Sequence, residues 1–177
     1  VFCGSSAGAL PAYAAAAREL GALLAARGLT LVYGGGRVGL MGELAEACLA
    51  AGGRVVGVIP RSLLERELGH TGLTTLHVVG SMHERKALMA DMADAFLALP
   101  GGMGTFDELF EIITWAQLGI HGKPMAVVNV AGYFDRLLAT IDHADRSGFI
   151  APAHKGLLKQ AAGVAESLAT LWPSGIP

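Results

Sequence analysis

The stretch that decides the fold is "LALPGGMGTFDELFEIITWAQLG", Leu97 to Gly119. It opens apolar and stops at Pro100, as a buried strand does where a proline removes the next ladder donor. Gly101, Gly102 and Gly104 follow, and Thr105 leads into apolar residues at helical spacing. Glycines at a strand-to-helix junction let a phosphate come close to backbone N–H groups, and the helix adds the positive end of its dipole. Asp107, Glu108 and Glu111 stand just behind. Carboxylates there would repel a phosphate, so they are expected to serve another part of the same ligand.

Strand-like and helix-like segments alternate on both sides of this junction. "VFCGS" reads as a strand, "PAYAAAARELGALLAARG" as a helix opened by Pro11 and closed by Gly28, and "LTLVYGGG" as a strand. "GLMGELAEACLAAGG" is helical, "RVVGVIP" is a strand, and "RSLLERELGHTGLTT" is a loop with room for one short helix. "LHVVGS" is a strand. "MHERKALMADMA" is a helix with Ser81 as N-cap and Glu84 at capping-box spacing. After the central junction come "KPMAVVNV" (strand), "YFDRLLATIDHADRSG" (helix), "HKGLLKQ" (a short edge strand) and "GVAESLATLW" (a last helix). Alternation with near-continuous apolar strands predicts an α/β fold, a Rossmann-like doubly wound parallel sheet with helices on both faces. Residues 1–177 read as a single Rossmann-like domain.

Composition narrows the class. The chain has 177 residues, 53% of them hydrophobic and 16% charged. That is rich for a small monomer and points to a buried subunit interface. A formal net charge of −2 argues against nucleic acid as a partner. No apolar run reaches the roughly 18 residues of a membrane span. No signal peptide is visible, but the chain opens on "VFCGSS", already strand-like, which suggests that natural residues precede it. Cys3 and Cys48, each in an apolar segment, read as buried thiols of a reducing cytoplasm.

Ligands of such sheets bind outside the carboxyl ends of the strands. Three glycine clusters fall there: Gly4 with Ser5 and Ser6, Gly34 to Gly36, and Gly101 to Gly104. Together they argue for a phosphate site. Gly34, Gly36 and Gly39 imitate a dinucleotide fingerprint, but they follow the second strand and the next strand ends without an acid, so an NAD site is not expected. There is no P-loop and no G-x-S-x-G elbow. The six His have no metal-ligand spacing, so neither metal nor cofactor is expected. "MHERK" puts His83, Arg85 and Lys86 in one helical turn behind a strand end.

Taken together, "LPGGMGTFDE" resembles the P-G-G-x-G-T-x-x-E motif of the Lonely Guy family, and "SMHERKALM" is similar to its upstream Arg-Lys motif. "TWAQLGIHGKP", "FCGSSAG", "LVYGGGRVGLMG" and "GVIPRSLLERE" look like that family too, in the same order, so the resemblance runs from Val1 to about Ile150. It implies a cytoplasmic homodimeric enzyme. Such enzymes cleave the N-glycosidic bond of cytokinin riboside 5′-monophosphates, and often of AMP, to free base and ribose 5-phosphate. Related sequences often carry a lysine decarboxylase label, but no pyridoxal-phosphate site is evident here. The family's catalytic positions fall on Arg85 and Glu108. Its substrate-binding positions fall on Glu67, Arg85, Lys86, Gly102, Met103, Gly104, Thr105, Phe106, Asp107, Glu108 and Thr114. The glycine reading adds Ser5, Gly34, Gly35 and Gly101. Met103 stands where relatives are often aromatic, and "HKGLLKQAAG" is less apolar than the strand expected there. A rival reading is a carrier of a phosphorylated cofactor, similar to molybdenum cofactor carriers. A carrier needs the glycine loops but not the Arg85/Glu108 pair.

Apolar residues between Phe106 and Ile120 cover more than one helix face. A helix lying on a sheet needs one stripe, so the second face is expected to meet a two-fold-related copy, with Met82, Leu88, Met89 and Met92 extending the patch.

Overall fold

The computed structural model describes residues 1–67 and 69–176; the side chains of 65–67 lie outside the description. The helices are α1 (Pro11–Ala26), α2 (Gly39–Ala50), α3 (Arg61–Glu67), α4 (Met82–Met92), α5 (Met103–Gln117), α6 (Asp135–Arg146) and α7 (Val164–Leu171). The strands are β1 (Leu31–Tyr33), β2 (Val55–Pro60), β3 (Thr75–Val79), β4 (Phe96–Ala98), β5 (Met125–Val128) and β6 (Leu158–Ala161). β1, β2 and β3 pair in parallel in that order, as do β4, β5 and β6.

The segment Val1–Cys3 joins the two halves. Phe2 N donates to Leu97 O at 2.8 Å and Leu99 N donates to Phe2 O at 2.9 Å. On the other side, Val1 N donates to Val32 O at 2.6 Å. The order across the sheet is therefore β3, β2, β1, Val1–Cys3, β4, β5, β6. The chain winds outward to β3, then crosses back to β4. That reversal opens a crevice at the carboxyl ends of Val1–Cys3 and β4, the usual ligand position in an open α/β sheet.

Alternation along each strand feeds two cores. Cys3, Leu31, Tyr33, Leu97 and Val128 pack with α1, α2 and α7. Phe2, Val32, Phe96, Ala98 and Val127 pack with α4, α5 and the start of α6. Buried on both faces, β1, β2, β4 and β5 carry no outward polar stripe, which is why they read as continuous apolar runs. β6 is less apolar because it is an edge strand with one neighbour. Its Lys159 reaches over to donate to Thr170 O of α7. Among the described residues no helix is long and apolar enough to cross a membrane.

α4 starts as its sequence predicts: the Ser81 side chain accepts from Glu84 N at 3.1 Å. The return bond differs from a standard capping box, because Glu84 Oε2 takes Gly80 N at 2.7 Å rather than the cap's own N–H. One expectation about the apolar patch changes as well. Met89 is 3% exposed and belongs to the core, while Met82 and Met92 remain at the surface. The second face of α5 is real: Leu109 and Ile112 are buried, whereas Phe110 on the same helix and Leu118 and Ile120 just beyond it stand in solvent.

Candidate active site

α4 and α5 carry the chemistry to the crevice from different directions. Arg85, in the first turn of α4, runs inward under the sheet edge. Its Nε donates to Val58 O at 3.0 Å and its Nη2 to Gly34 O at 3.2 Å. These carbonyls hold two arms of the guanidinium and leave Nη1 directed elsewhere. Nη1 lies 3.5 Å from Glu108 Oε1, an ion pair between side chains only 10% and 9% exposed. Burial pushes the Glu108 carboxyl above the ordinary carboxylate range; the Arg85 guanidinium opposes that shift without cancelling it. Both groups line a cavity of about 280 Å³ with Cys3, Ser5, Gly34, Met41, Leu63, Met82 and the run Gly102 to Thr105.

The glycines divide into two kinds. A Cβ at Gly34 would sit 2.1 Å from Arg85 Nη2, and one at Gly101 would sit 2.1 Å from Thr105 Oγ1 and 2.8 Å from Gly4 N. These two are small so that protein atoms can close on them. Around Gly102 and Gly104 a Cβ would meet nothing within 4 Å. Those two leave open the start of α5, where Gly102 is an N-cap without side-chain cap and the first helical bond is Phe106 N to Gly102 O. The N–H groups of Met103, Gly104 and Thr105 precede that bond, so they have no intrahelical partner. An anion fits there by charge and by donor geometry.

The cavity thus collects Ser5, Gly34, Arg85, Gly102, Met103, Gly104, Thr105 and Glu108 from the sequence expectation. The other expected positions lie elsewhere. Lys86 Nζ is bound at 3.1 Å to Asp107 and 3.0 Å to Glu111, and its side chain is 11% exposed. Burial works against its charge, but those two carboxylates outweigh it and raise its pKa. In this arrangement Lys86 and Asp107 tie α4 to α5 rather than face the cavity. Gly35 adopts φ +75° against Ile59 and Leu76, a turn conformation that glycine allows, away from the ligand space. Phe106 stacks on Tyr133 at 6.4 Å. Thr114 is exposed three turns along α5, and its hydroxyl donates to Phe110 O. Glu67 ends α3, and its side chain lies outside the described residues.

Sequence reasoning missed Cys3, Met41, Leu63 and Met82 as cavity walls. Met82 was readable, because it stands three residues before Arg85 on one helix face, and the Arg85 Nη1 to Met82 Sδ distance is 3.8 Å. Cys3 was read only as a buried thiol. It is one, with burial pushing its pKa up to about 12, so it walls the cavity without supplying a nucleophile.

A family model described as "Possible lysine decarboxylase" matches residues 41–171. A protein of Oryza sativa subsp. japonica named "Probable cytokinin riboside 5'-monophosphate phosphoribohydrolase" is 55% identical over 91% of this chain and 71% of its own. The chain belongs to the Lonely Guy family. A cytokinin riboside 5'-monophosphate phosphoribohydrolase of Arabidopsis thaliana is 50% identical over 94% of this chain and 78% of its own. One of Rhodococcoides fascians is 54% identical over 86% and 78%. Among solved structures, the molybdenum cofactor carrier protein of Chlamydomonas reinhardtii matches with TM-score 0.66 and 24% identity over 93% of this chain and 88% of that one. The molybdenum cofactor binding protein of Rippkaea orientalis matches with TM-score 0.67 and 21% identity over 90% and 85%. At that identity the likeness to the carriers is one of fold alone.

The two kinds of glycine give a direct prediction. Gly34→Ala should destabilise the fold by about 1–3 kcal/mol, because the new methyl displaces a pinned guanidinium. Gly104→Ala should be neutral, or stabilising by up to about 1 kcal/mol through helix propensity. Urea-unfolding midpoints of the two variants check this, and the reverse order would contradict the division.

Proposed function

We propose that this chain is a phosphoribohydrolase that cleaves the N-glycosidic bond of nucleoside 5′-monophosphates, cytokinin riboside monophosphates and AMP among them. The observation that carries the reading is the buried Arg85–Glu108 pair beside an uncapped helix start. In this reading the 5′-phosphate takes the free N–H groups of the α5 N-terminus, with Ser5 and Thr105 at its edge. The ribose then lies over Glu108, and the base extends past Met82 and Leu63 toward exposed Met103. A cavity near 280 Å³ is at the small end for a ligand pocket, which suits a sugar phosphate with the base at the mouth.

The reaction follows from charge. As the C1′–N bond breaks, its electron pair leaves with the base and positive charge builds on the ribose as an oxocarbenium ion. The Glu108 carboxylate, short of compensation in its buried place, stabilises that charge. Water adds at C1′ to give ribose 5-phosphate, losing a proton, and the base gains one. Arg85 remains protonated throughout, so it contributes hydrogen bonds and charge, not a proton. A cofactor carrier has no use for an under-compensated carboxylate at this position, and relatives 52–55% identical to this chain are named phosphoribohydrolases, two of them, from rice, as probable and one, from Rhodococcoides fascians, without that qualifier.

The chain works in this reading as one domain, as a cytoplasmic homodimer. Free buried Cys3 and Cys48 suit a reducing compartment. Phe110, Leu118 and Ile120 are 43%, 70% and 62% exposed, a second apolar face without cover. Phe110 also borders a groove with Ile113, Thr114, Leu138, Ile141 and Ile150. Thr114, a nucleotide contact by family resemblance, sits in that groove and away from its own cavity, which supports an interface close to the active sites.

Purified protein incubated with AMP or isopentenyladenosine monophosphate should release free base, read by chromatography, while adenosine should be a very poor substrate. Glu108→Gln and Arg85→Ala should each lose on the order of 10²–10³ in kcat and stay folded. Equal kcat/KM for AMP and adenosine, or near-parental turnover of either variant, would overturn the reading. For the assembly, sedimentation equilibrium at micromolar protein should give twice 18.2 kDa for the parent and a monomer for Phe110→Asp; a monomeric parent would refute the dimer.

A further inference from the structure

Tyr133 lies on the loop after β5, outside every motif that carries the family resemblance, yet it touches the glycine turn directly. Its hydroxyl donates to the Gly101 carbonyl. The ring is caged: Phe106 of α5 stacks at 6.4 Å, Phe134 meets it edge-on at 5.0 Å, and Tyr13 of α1 meets it edge-on at 5.6 Å. The loop that delivers it is itself held in a specific shape. Asn129, 8% exposed, accepts from Phe134 N at 2.7 Å and donates to Asp135 Oδ1 at 2.7 Å. Between these anchors Ala131 takes φ +51° and Gly132 φ +72°. A left-handed alanine is a strained choice, and such strain persists only where the surroundings enforce it.

The consequence follows from peptide geometry. In a trans peptide the C=O of one residue and the N–H of the next point in opposite directions. With glycine on both sides, the flanking ψ of Gly101 and φ of Gly102 are little restricted, so the whole Gly101–Gly102 peptide plane could otherwise flip either way. In one orientation the Gly102 N–H joins the three free donors at the start of α5. In the other, a carbonyl oxygen faces an incoming phosphate. Tyr133, Gly101 and Gly102 border a second cavity, and of these three Gly102 alone also lines the active-site cavity. Holding the Gly101 oxygen on the Tyr133 side therefore commits the Gly102 N–H to the opposite side.

We infer that Tyr133 is a positioning residue for phosphate: its hydroxyl locks the Gly101–Gly102 peptide so that the Gly102 N–H is a fixed fourth donor to the 5′-phosphate. This rests on the phosphoribohydrolase reading, and it predicts a defect in phosphate recognition rather than in bond cleavage.

The test is Tyr133→Phe, which keeps the ring and its three aromatic contacts. Calorimetric titration with ribose 5-phosphate measures phosphate binding without turnover. Binding should weaken roughly tenfold, about the worth of one charge-assisted hydrogen bond. With nucleotide substrate, KM should rise by a similar factor while kcat changes by less than about threefold. Tyr13→Phe, which removes a hydroxyl from the neighbouring ring, should bind as the parent does. In the parent, the Gly102 amide resonance should shift and its exchange slow when ribose 5-phosphate is added, a readout that needs no variant to fold. Parental affinity in Tyr133→Phe, a loss confined to kcat, or a Gly102 amide indifferent to ribose 5-phosphate would overturn the inference. A parent that binds ribose 5-phosphate through Gly102 but releases no base would instead overturn the hydrolase reading and leave Tyr133 in place.

Discussion

A guanidinium and a carboxylate, each about nine-tenths buried, face each other at 3.5 Å, and the rest of the site is arranged around the cost of that pair. Removing both charges from solvent is expensive, and their mutual attraction repays it only where further hydrogen bonds satisfy each group. Arg85 is well supplied, with Val58 O and Gly34 O on two of its arms. Glu108 is not: its carboxyl is pushed upward, so its negative form is under-compensated. A developing positive charge on a bound ribose would supply what is missing. An interaction that is stronger in the transition state than in the free enzyme is the kind that accelerates a reaction.

The sheet order makes this pair possible. Because the chain reverses between β3 and β4, the ends of Val1–Cys3 and β4 stand side by side with no helix across them, and the start of α5 opens into that gap. Arg85 and Glu108 sit on different helices, so their separation depends on α4 and α5 keeping register. Lys86 provides that link through Asp107 and Glu111. A residue that reads in sequence as a phosphate contact thus serves, in the free protein, to hold the charged pair together.

Much of this was legible before any coordinates. Strand–helix alternation gave the doubly wound sheet because strands buried on both faces carry no polar stripe to confuse the pattern. The edge strand is shorter and later than "HKGLLKQ" suggests: His154 ends a 3-10 turn, and the strand spans Leu158–Ala161. The positions of Arg85 and Glu108 came from paired motifs. What stayed hidden depends on contacts between distant segments. Three glycine clusters looked alike in sequence, but Gly102 and Gly104 face open space, whereas Gly34 admits Arg85, fifty-one residues away. Met89 looked like patch and is core, since a helix with apolar residues on several sides does not declare which side meets the sheet. Tyr133 gave no signal at all: nothing in "VAGYFD" announces that its hydroxyl reaches Gly101.

Glu108 is held ionisable but under-compensated beside Arg85. Titration of the carboxyl carbons by 13C NMR tests this most directly, with Glu108→Gln used to assign the resonance. Glu108 should titrate above the ordinary glutamate value of about 4.3, and higher still in Arg85→Ala, where burial loses its strongest opponent while the first residue's amine and Lys86 still act against it. It follows that Glu108→Gln should gain stability over the parent at neutral pH, and that the gain should shrink as the pH falls through the Glu108 pKa and the parent carboxyl protonates too. A Glu108 that titrates at or below the ordinary value, or that is unmoved by loss of Arg85, would contradict the account.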